Sequence, residues 1–120
     1  MIEVTRQRGV TLVVLGESYS SLDESTLDEA GGVLLSTAAA VDPPRLVLDM
    51  SSTDYIGSAF IELLVRAWKR LTERGGTMAV CGLRPFCAEV LRVSRVDSLW
   101  ETFPTANEAL LATAVDPGAR

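Results

Sequence analysis

Between residues 2 and 6 apolar and polar positions alternate, the period-two pattern of a half-exposed strand. Arg8 and Gly9 can turn the chain, and Val10, Leu12, Val13, Val14 and Leu15 then give a more buried run ended by Gly16. The two runs predict a hairpin at the start of a sheet. Residues 17–23 are polar, with serines at Ser18, Ser20 and Ser21, and they lead into a helix predicted over roughly residues 23–40. Leu27, Ala30, Leu34 and Thr37 share one face of that helix. Gly31 and Gly32 weaken it, each by about 1 kcal/mol relative to alanine. Asp42-Pro43-Pro44 stops it and delivers the chain into the next strand.

Residues 45–50 are almost continuously apolar, as expected of a central strand covered on both faces. The polar connection 51–57 holds Tyr55 and Ile56, both expected to plug inward. From Ser58 the spacing becomes helical. Phe60, Leu63, Leu64, Ala67, Trp68 and Leu71 lie near one stripe, with Glu62, Arg66, Lys69, Arg70 and Glu73 opposite. Ser58 is placed to cap the first turn, and Gly75-Gly76 closes the helix. Another buried strand follows at residues 77–81, then a short helix from Pro85 to about residue 94. A last strand over residues 99–103 and a final helix over about 105–114 precede a tail at 116–120. Two strands followed by alternating helix and strand predict an α/β fold: a mixed sheet of about five strands packed with about four α-helices. The helix-linked strands should run parallel with right-handed crossovers, the first strand antiparallel to the second. Residues 1–115 are expected to form one domain.

Composition narrows the function. With 120 residues, 48% of them hydrophobic and 22% charged, the chain can build one compact core. A net charge of −5 argues against nucleic acid or an anionic membrane as partner. There is no histidine, so neither a Ser-His nor a Cys-His nucleophile pair can form, and the commonest transition-metal ligand is missing. Cys81 and Cys87 match no familiar zinc or redox spacing and sit among apolar residues, where a free thiol behaves as a small buried hydrophobe. Neither glycine pair has the spacing of a phosphate or dinucleotide loop. No metal, no cofactor and no enzymatic activity are therefore expected. The N-terminus lacks a basic segment followed by an apolar one, and no run approaches the roughly 18 apolar residues of a membrane span, so a cytoplasmic protein is expected.

The stretch Leu46-Val47-Leu48-Asp49-Met50-Ser51-Ser52-Thr53-Asp54-Tyr55-Ile56-Gly57-Ser58-Ala59-Phe60 resembles the STAS domains of bacterial anti-sigma factor antagonists. In those domains a buried strand ending in Asp-Leu-Ser or similar runs to an apolar pair, and an Asp-Ser-Ser-Gly-like segment opens a helix. The resemblance continues through Met78-Ala79-Val80-Cys81-Gly82-Leu83, Pro85 and Val90-Leu91, then Leu99-Trp100 and Asn107-Glu108-Ala109-Leu110. It covers essentially the whole chain. It implies a STAS-like fold and a regulator without catalytic residues, which binds an anti-sigma factor of the serine-kinase type in a partner-switching pathway controlling transcription. The implied contact residues are Asp23, Asp54, Tyr55, Gly57, Ser58, Ala59 and Phe60. Two other roles stay open: a scaffold subunit of a larger signalling assembly, and a small-ligand sensor with a pocket near the same loop. Self-association as a homodimer is compatible with the first two.

The sequence departs from the family pattern at its switch. Gly57 stands where the pattern has aspartate, Ser58 keeps the first serine, Ala59 occupies the phosphoacceptor position, and Phe60 replaces glycine. Alanine has no hydroxyl, so the family's switch cannot operate at Ala59. Either Ser58 takes over as acceptor, or the domain is not regulated in this way and Ser58 only caps the helix. Phe60 has two readings as well, a core position at helical spacing with Leu64 and Leu71 or an exposed interface anchor. Leu22-Asp23 matches a family pair beside the partner surface, although Asp23 or Ser21 could equally cap the first helix.

Three further features have local explanations. Arg66, Lys69, Arg70 and Arg74 form a basic stripe, either a solvated face with Glu62–Arg66 and Lys69–Glu73 pairs or a docking ridge for an acidic partner. Arg84, Arg92 and Arg95 add basic residues with no fixed relation to that stripe. Asp49, at a strand end, is expected to accept hydrogen bonds from neighbouring backbone N–H groups.

Overall fold

The computed structural model describes residues 2–16, 21–22 and 24–114. Its elements in chain order are β1 (Ile2–Gln7), β2 (Val10–Leu15), β3 (Ser21–Leu22), α1 (Glu24–Ala40), β4 (Arg45–Asp49), β5 (Tyr55–Ile56), α2 (Ser58–Glu73), β6 (Thr77–Cys81), α3 (Pro85–Val93), β7 (Glu101–Phe103) and α4 (Ala106–Thr113). The main sheet has the order β1-β2-β4-β6-β7. β1 is antiparallel to β2 and every other pairing in that sheet is parallel, as the alternation of elements predicts. The β1–β2 turn has positive φ at both central residues, Arg8 (55°) and Gly9 (77°), which is the backbone twist of a tight hairpin.

The two faces of the sheet are covered unequally. On one face Val13, Leu15, Leu46, Leu48, Met50, Met78 and Val80 meet Ala30, Leu34 and Ala38 of α1, Phe60, Leu64, Ala67 and Leu71 of α2, and Cys87 and Leu91 of α3. On the other, Val10, Leu12, Val47, Ala79 and Cys81 are covered chiefly by Ala109 and Leu110 of α4. β4 is buried on both faces, which accounts for its unbroken apolar run. β1 is an edge strand with Val4 exposed.

Several expectations are refined. The last strand is Glu101–Phe103, shorter than residues 99–103, because Trp100 turns into the core. α2 begins at Ser58, but its N-cap is Gly57, so Ser58 is the first helical residue and caps nothing. The polar connections hold a small second sheet that the sequence did not suggest, β3 paired parallel to β5 through Ser21↔Tyr55 and Leu22↔Ile56. The expected tail at 116–120 lies outside the described residues.

The basic stripe is put to use within the fold. α1 has no basic residue in its last turn. Arg74, the C-cap of α2, donates to the carbonyls of Ala38 at 2.9 Å and Val41 at 2.6 Å, and Arg70 of α2 donates to Leu35 O at 3.4 Å. The Arg74 guanidinium thus satisfies a carbonyl that the end of a helix leaves orphaned, that of Ala38, while Arg70 adds a second bond to a carbonyl one turn earlier. The expected Glu62–Arg66 and Lys69–Glu73 pairs do not form; the ion pairs among the described residues are Arg84–Asp54 and Arg92–Glu89.

Candidate functional site

The segment between β4 and α2 leaves the sheet at its carboxyl end. Asp49 Oδ1 accepts from Ser51 N at 2.9 Å, the strand-end role expected of it. Met50 N donates to Cys81 O and Thr53 N to Met50 O, so the chain folds back tightly over the ends of β4 and β6. Gly82 has a φ of +72°, and a Cβ there would lie 2.8 Å from Ser51 Cβ, so only glycine lets β6 exit beside this turn. Thr53 is buried, and its carbonyl faces the Cys87 thiol at 3.6 Å.

Beyond Thr53 the side chains separate by face. Ile56 points inward and is buried, whereas Tyr55, expected to plug inward, is 45% exposed. A two-residue strand must send its side chains to opposite sides, and the more apolar residue takes the core. Outside, Tyr55 stacks on Phe86 of α3, with ring centroids 5.7 Å apart and planes 19° from parallel. Phe86 is itself 51% exposed. Cys87 and Leu91 are the buried residues of α3 and Val90 packs partly against the same core, whereas Phe86 and Val93, two turns apart on the neighbouring stripe, are apolar and exposed. That pattern was present in the sequence: two adjacent apolar stripes on a nine-residue helix cannot both be buried.

Arg84 fixes this corner. Its Nε donates to Ser51 O at 2.8 Å and its Nη1 to Asp54 Oδ1 at 2.7 Å. Nothing local in the sequence signals a contact across 30 residues.

α2 then starts without a side-chain cap and without an acidic residue in its first turn. The carbonyl of Gly57 accepts from Phe60 N at 3.1 Å and Ile61 N at 3.2 Å. Ser58 and Ala59 are both exposed, on the positive end of the helix. Phe60 is 1% exposed and packs in the core, so it supports the surface from beneath and offers no side chain to a partner. That corrects its place in the expected contact set. Asp54, Tyr55, Gly57, Ser58 and Ala59 are brought together; Asp23 lies outside the described residues. A groove of about 300 Å³ between α1 and α2 has Ala59 at its wall, beside Gly31, Leu63 and Arg66.

Both thiols are buried and unpaired. Burial, with a smaller contribution from Asp49, pushes the Cys81 pKa from 9.0 to about 12. Burial also raises that of Cys87; Asp54 adds to the rise and Arg84 opposes it. Neither thiol is poised as a nucleophile. No helix among the described residues is long and apolar enough to cross a membrane.

A mixed five-stranded sheet whose central parallel strand leads through a polar loop into a helix N-terminus defines a domain of the STAS type. The chain matches the STAS domain family over residues 1–109 and belongs to that family. An anti-sigma-factor antagonist STAS domain protein of Planctomyces limnophilus is similar at 36% identity, with a TM-score of 0.89 over 95% of this chain and 98% of that one. BtrV of Bordetella bronchiseptica, whose name assigns it to the anti-sigma factor antagonists, is 37% identical over 79 residues, 64% of this chain and 66% of that protein. An anti-sigma factor antagonist of Mycobacterium paratuberculosis shares the fold at 24% identity, with a TM-score of 0.80 over 94% and 92% of the two chains. The protein is thus a STAS domain of the anti-sigma factor antagonist type.

Proposed function

We propose that this protein acts in the cytoplasm by binding an anti-sigma factor of the serine-kinase type, through residues 54–59 and the Tyr55–Phe86 corner. The observation that carries this reading is the exposed aromatic stack beside an uncapped helix N-terminus. Exposed aromatic anchors next to polar groups are what protein interfaces use most, and they contribute little to the stability of the free protein. Arg84 braces the loop from behind, so the contact surface is formed before the partner arrives and less ordering is needed on binding.

We infer the regulation from the first turn of α2. Ala59 cannot accept a phosphate, and the one hydroxyl in the exposed first turn is that of Ser58. Ser58 is exposed and makes no cap, so a phosphate there would place close to two negative charges in the middle of the contact surface. We read the protein as held permanently in its binding-competent form, with Ser58 unmodified.

The test is incubation with each candidate anti-sigma kinase and ATP, read by intact mass, alongside binding measured by calorimetry and a Ser58→Ala control. Tight binding without added mass supports a permanently active antagonist. Addition of one phosphate, abolished in Ser58→Ala, would show that the switch has moved by one residue. Absence of both binding and phosphate across all candidates would sink the partner-switching reading.

A further inference from the structure

β1 leaves one side of its backbone unpaired. It stands at the end of the main sheet, and among the described residues β2 is its single strand neighbour. Their pairing runs without a break from Ile2↔Leu15 to Gln7↔Val10, around the two-residue turn at Arg8 and Gly9. In such a hairpin the pair flanking the turn exchanges both backbone bonds, and bonded and unbonded pairs alternate from there. Glu3, Thr5 and Gln7 thus bond to β2, whereas the N–H and C=O groups of Ile2, Val4 and Arg6 point off the sheet.

Proteins blunt such an edge with a proline, a bulge, a covering element or a charge at mid-strand. β1 has no proline and no bulge, and residues 3–7 are all exposed. Arg6, the one charged residue whose backbone points outward, has its guanidinium turned aside to the carbonyl of Asp42. The middle of the edge is Val4, an exposed apolar side chain at the wall of an open groove of about 530 Å³ that Thr37, Ala40 and Val41 also line.

We propose that a second copy of this chain pairs antiparallel with β1, about a two-fold axis through Val4. An axis perpendicular to the sheet continues each face into the same face, so only residues of one face can stand opposite each other. Centred on Val4, that residue meets Val4 of the second copy and Ile2 meets its Arg6, so every outward backbone group is paired. Centred on Thr5 instead, Ile2 would face the turn at Arg8 and lose its bonds. In the Val4 register Glu3 comes opposite Thr5, and no like charges are directly opposed. The second Val4 closes the open side of the groove. A strand of this length spans about 20 Å and supplies less contact than a standard interface. The dimer is therefore weak, with a dissociation constant between about 10 µM and 1 mM. The axis reverses strand direction, so residues 54–59 of the two copies lie at opposite ends of the dimer and stay uncovered. The pairing stands or falls independently of the partner surface.

Sedimentation equilibrium of the full chain from about 10 µM to 1 mM should show one chain passing to two. Val4→Pro removes an outward N–H and leaves the bonds to β2 in place, and Val4→Lys sets two ammonium groups face to face. Each should weaken the dimer about tenfold or more, with circular dichroism unchanged. Cross-linking reads the register. Val4→Cys should form an intermolecular disulfide on mild oxidation, because the paired Cα atoms lie about 5.5 Å apart. Arg6→Cys should not, since its two copies are about 14 Å apart along the strands. Cys81 and Cys87 are fully buried and stay silent. If Val4→Pro does not fold, Val4→Lys and the two cysteine variants decide. A monomer throughout would overturn the proposal and leave the edge to a different chain. A dimer unchanged in a folded Val4 variant would overturn it by placing the contact on another surface, and Arg6→Cys cross-linking as fast as Val4→Cys would overturn the register on which it rests.

Discussion

The guanidinium of Arg84, at the threshold of α3, holds the carboxylate of Asp54 at 2.7 Å while also donating to the carbonyl of Ser51. One side chain therefore spans both ends of the turn that carries the chain from β4 toward α2. Both partners are substantially exposed, at 49% and 61%, so the ion pair alone is worth little.

A double-mutant cycle on Arg84→Ala and Asp54→Ala, followed by urea unfolding, should give a coupling of about 0.2–1 kcal/mol. Arg84→Ala should be the more destabilising single change, because it also strips the Ser51 carbonyl of its donor. Equal single effects would mean that the Ser51 bond contributes nothing.

Phe60 and Phe86 should behave as opposites. Phe60→Ala empties a fully buried site and is expected to destabilise by about 3–5 kcal/mol. Phe86→Ala removes a half-exposed ring and should change stability by less than about 1 kcal/mol while weakening partner binding by about tenfold or more. Chemical denaturation and calorimetry separate the two; full-strength binding by folded Phe86→Ala would remove the aromatic stack from the interface.

Neighbouring glycines in α1 should respond differently to alanine. A Cβ on Gly32 meets nothing within 4 Å, so Gly32→Ala should stabilise by about 0.5–1 kcal/mol through helix propensity. A Cβ on Gly31 would lie 2.5 Å from Leu63 Cδ1, so the Leu63 side chain must move and Gly31→Ala should gain less. Melting temperatures of the two variants check the order.

Cys81 makes stability depend on alkaline pH. In the unfolded chain its thiol ionises near its ordinary value of 9.0, while in the fold it keeps its proton to about pH 12. The unfolded state thus binds fewer protons across that window, and this contribution, complete below pH 9, declines as pH rises toward 12. Stability measured at pH 8, 9 and 10 should fall more steeply for the wild type than for Cys81→Ala. Parallel slopes would mean the thiol titrates alike in both states.

Much of the architecture was legible because the principal elements carry strong periodic signals. The apolar run of β4 is a strand covered on both faces, and the stripe Phe60, Leu64, Ala67 and Leu71 is the buried side of α2. The small β3–β5 sheet was not legible, since two residues per strand contain no period to detect. At the site, alternation within Tyr55-Ile56 shows that one side chain points out, but only packing against Phe86 gives the exposed one a neighbour. Phe86 could have been found from the two adjacent stripes of α3. Arg84 could not, because its partners are set by how α3 docks and not by any local spacing.

The bonds from Arg70 and Arg74 to the end of α1 have a consequence for the order in which the molecule opens. α1 does not finish itself; Ala38 O in its last turn and Val41 O just beyond it are both closed by Arg74, the C-cap of the next helix. Opening the end of α1 therefore breaks bonds that reach across from α2 and its cap, so amides at the ends of these two helices should exchange with water as one cooperative unit.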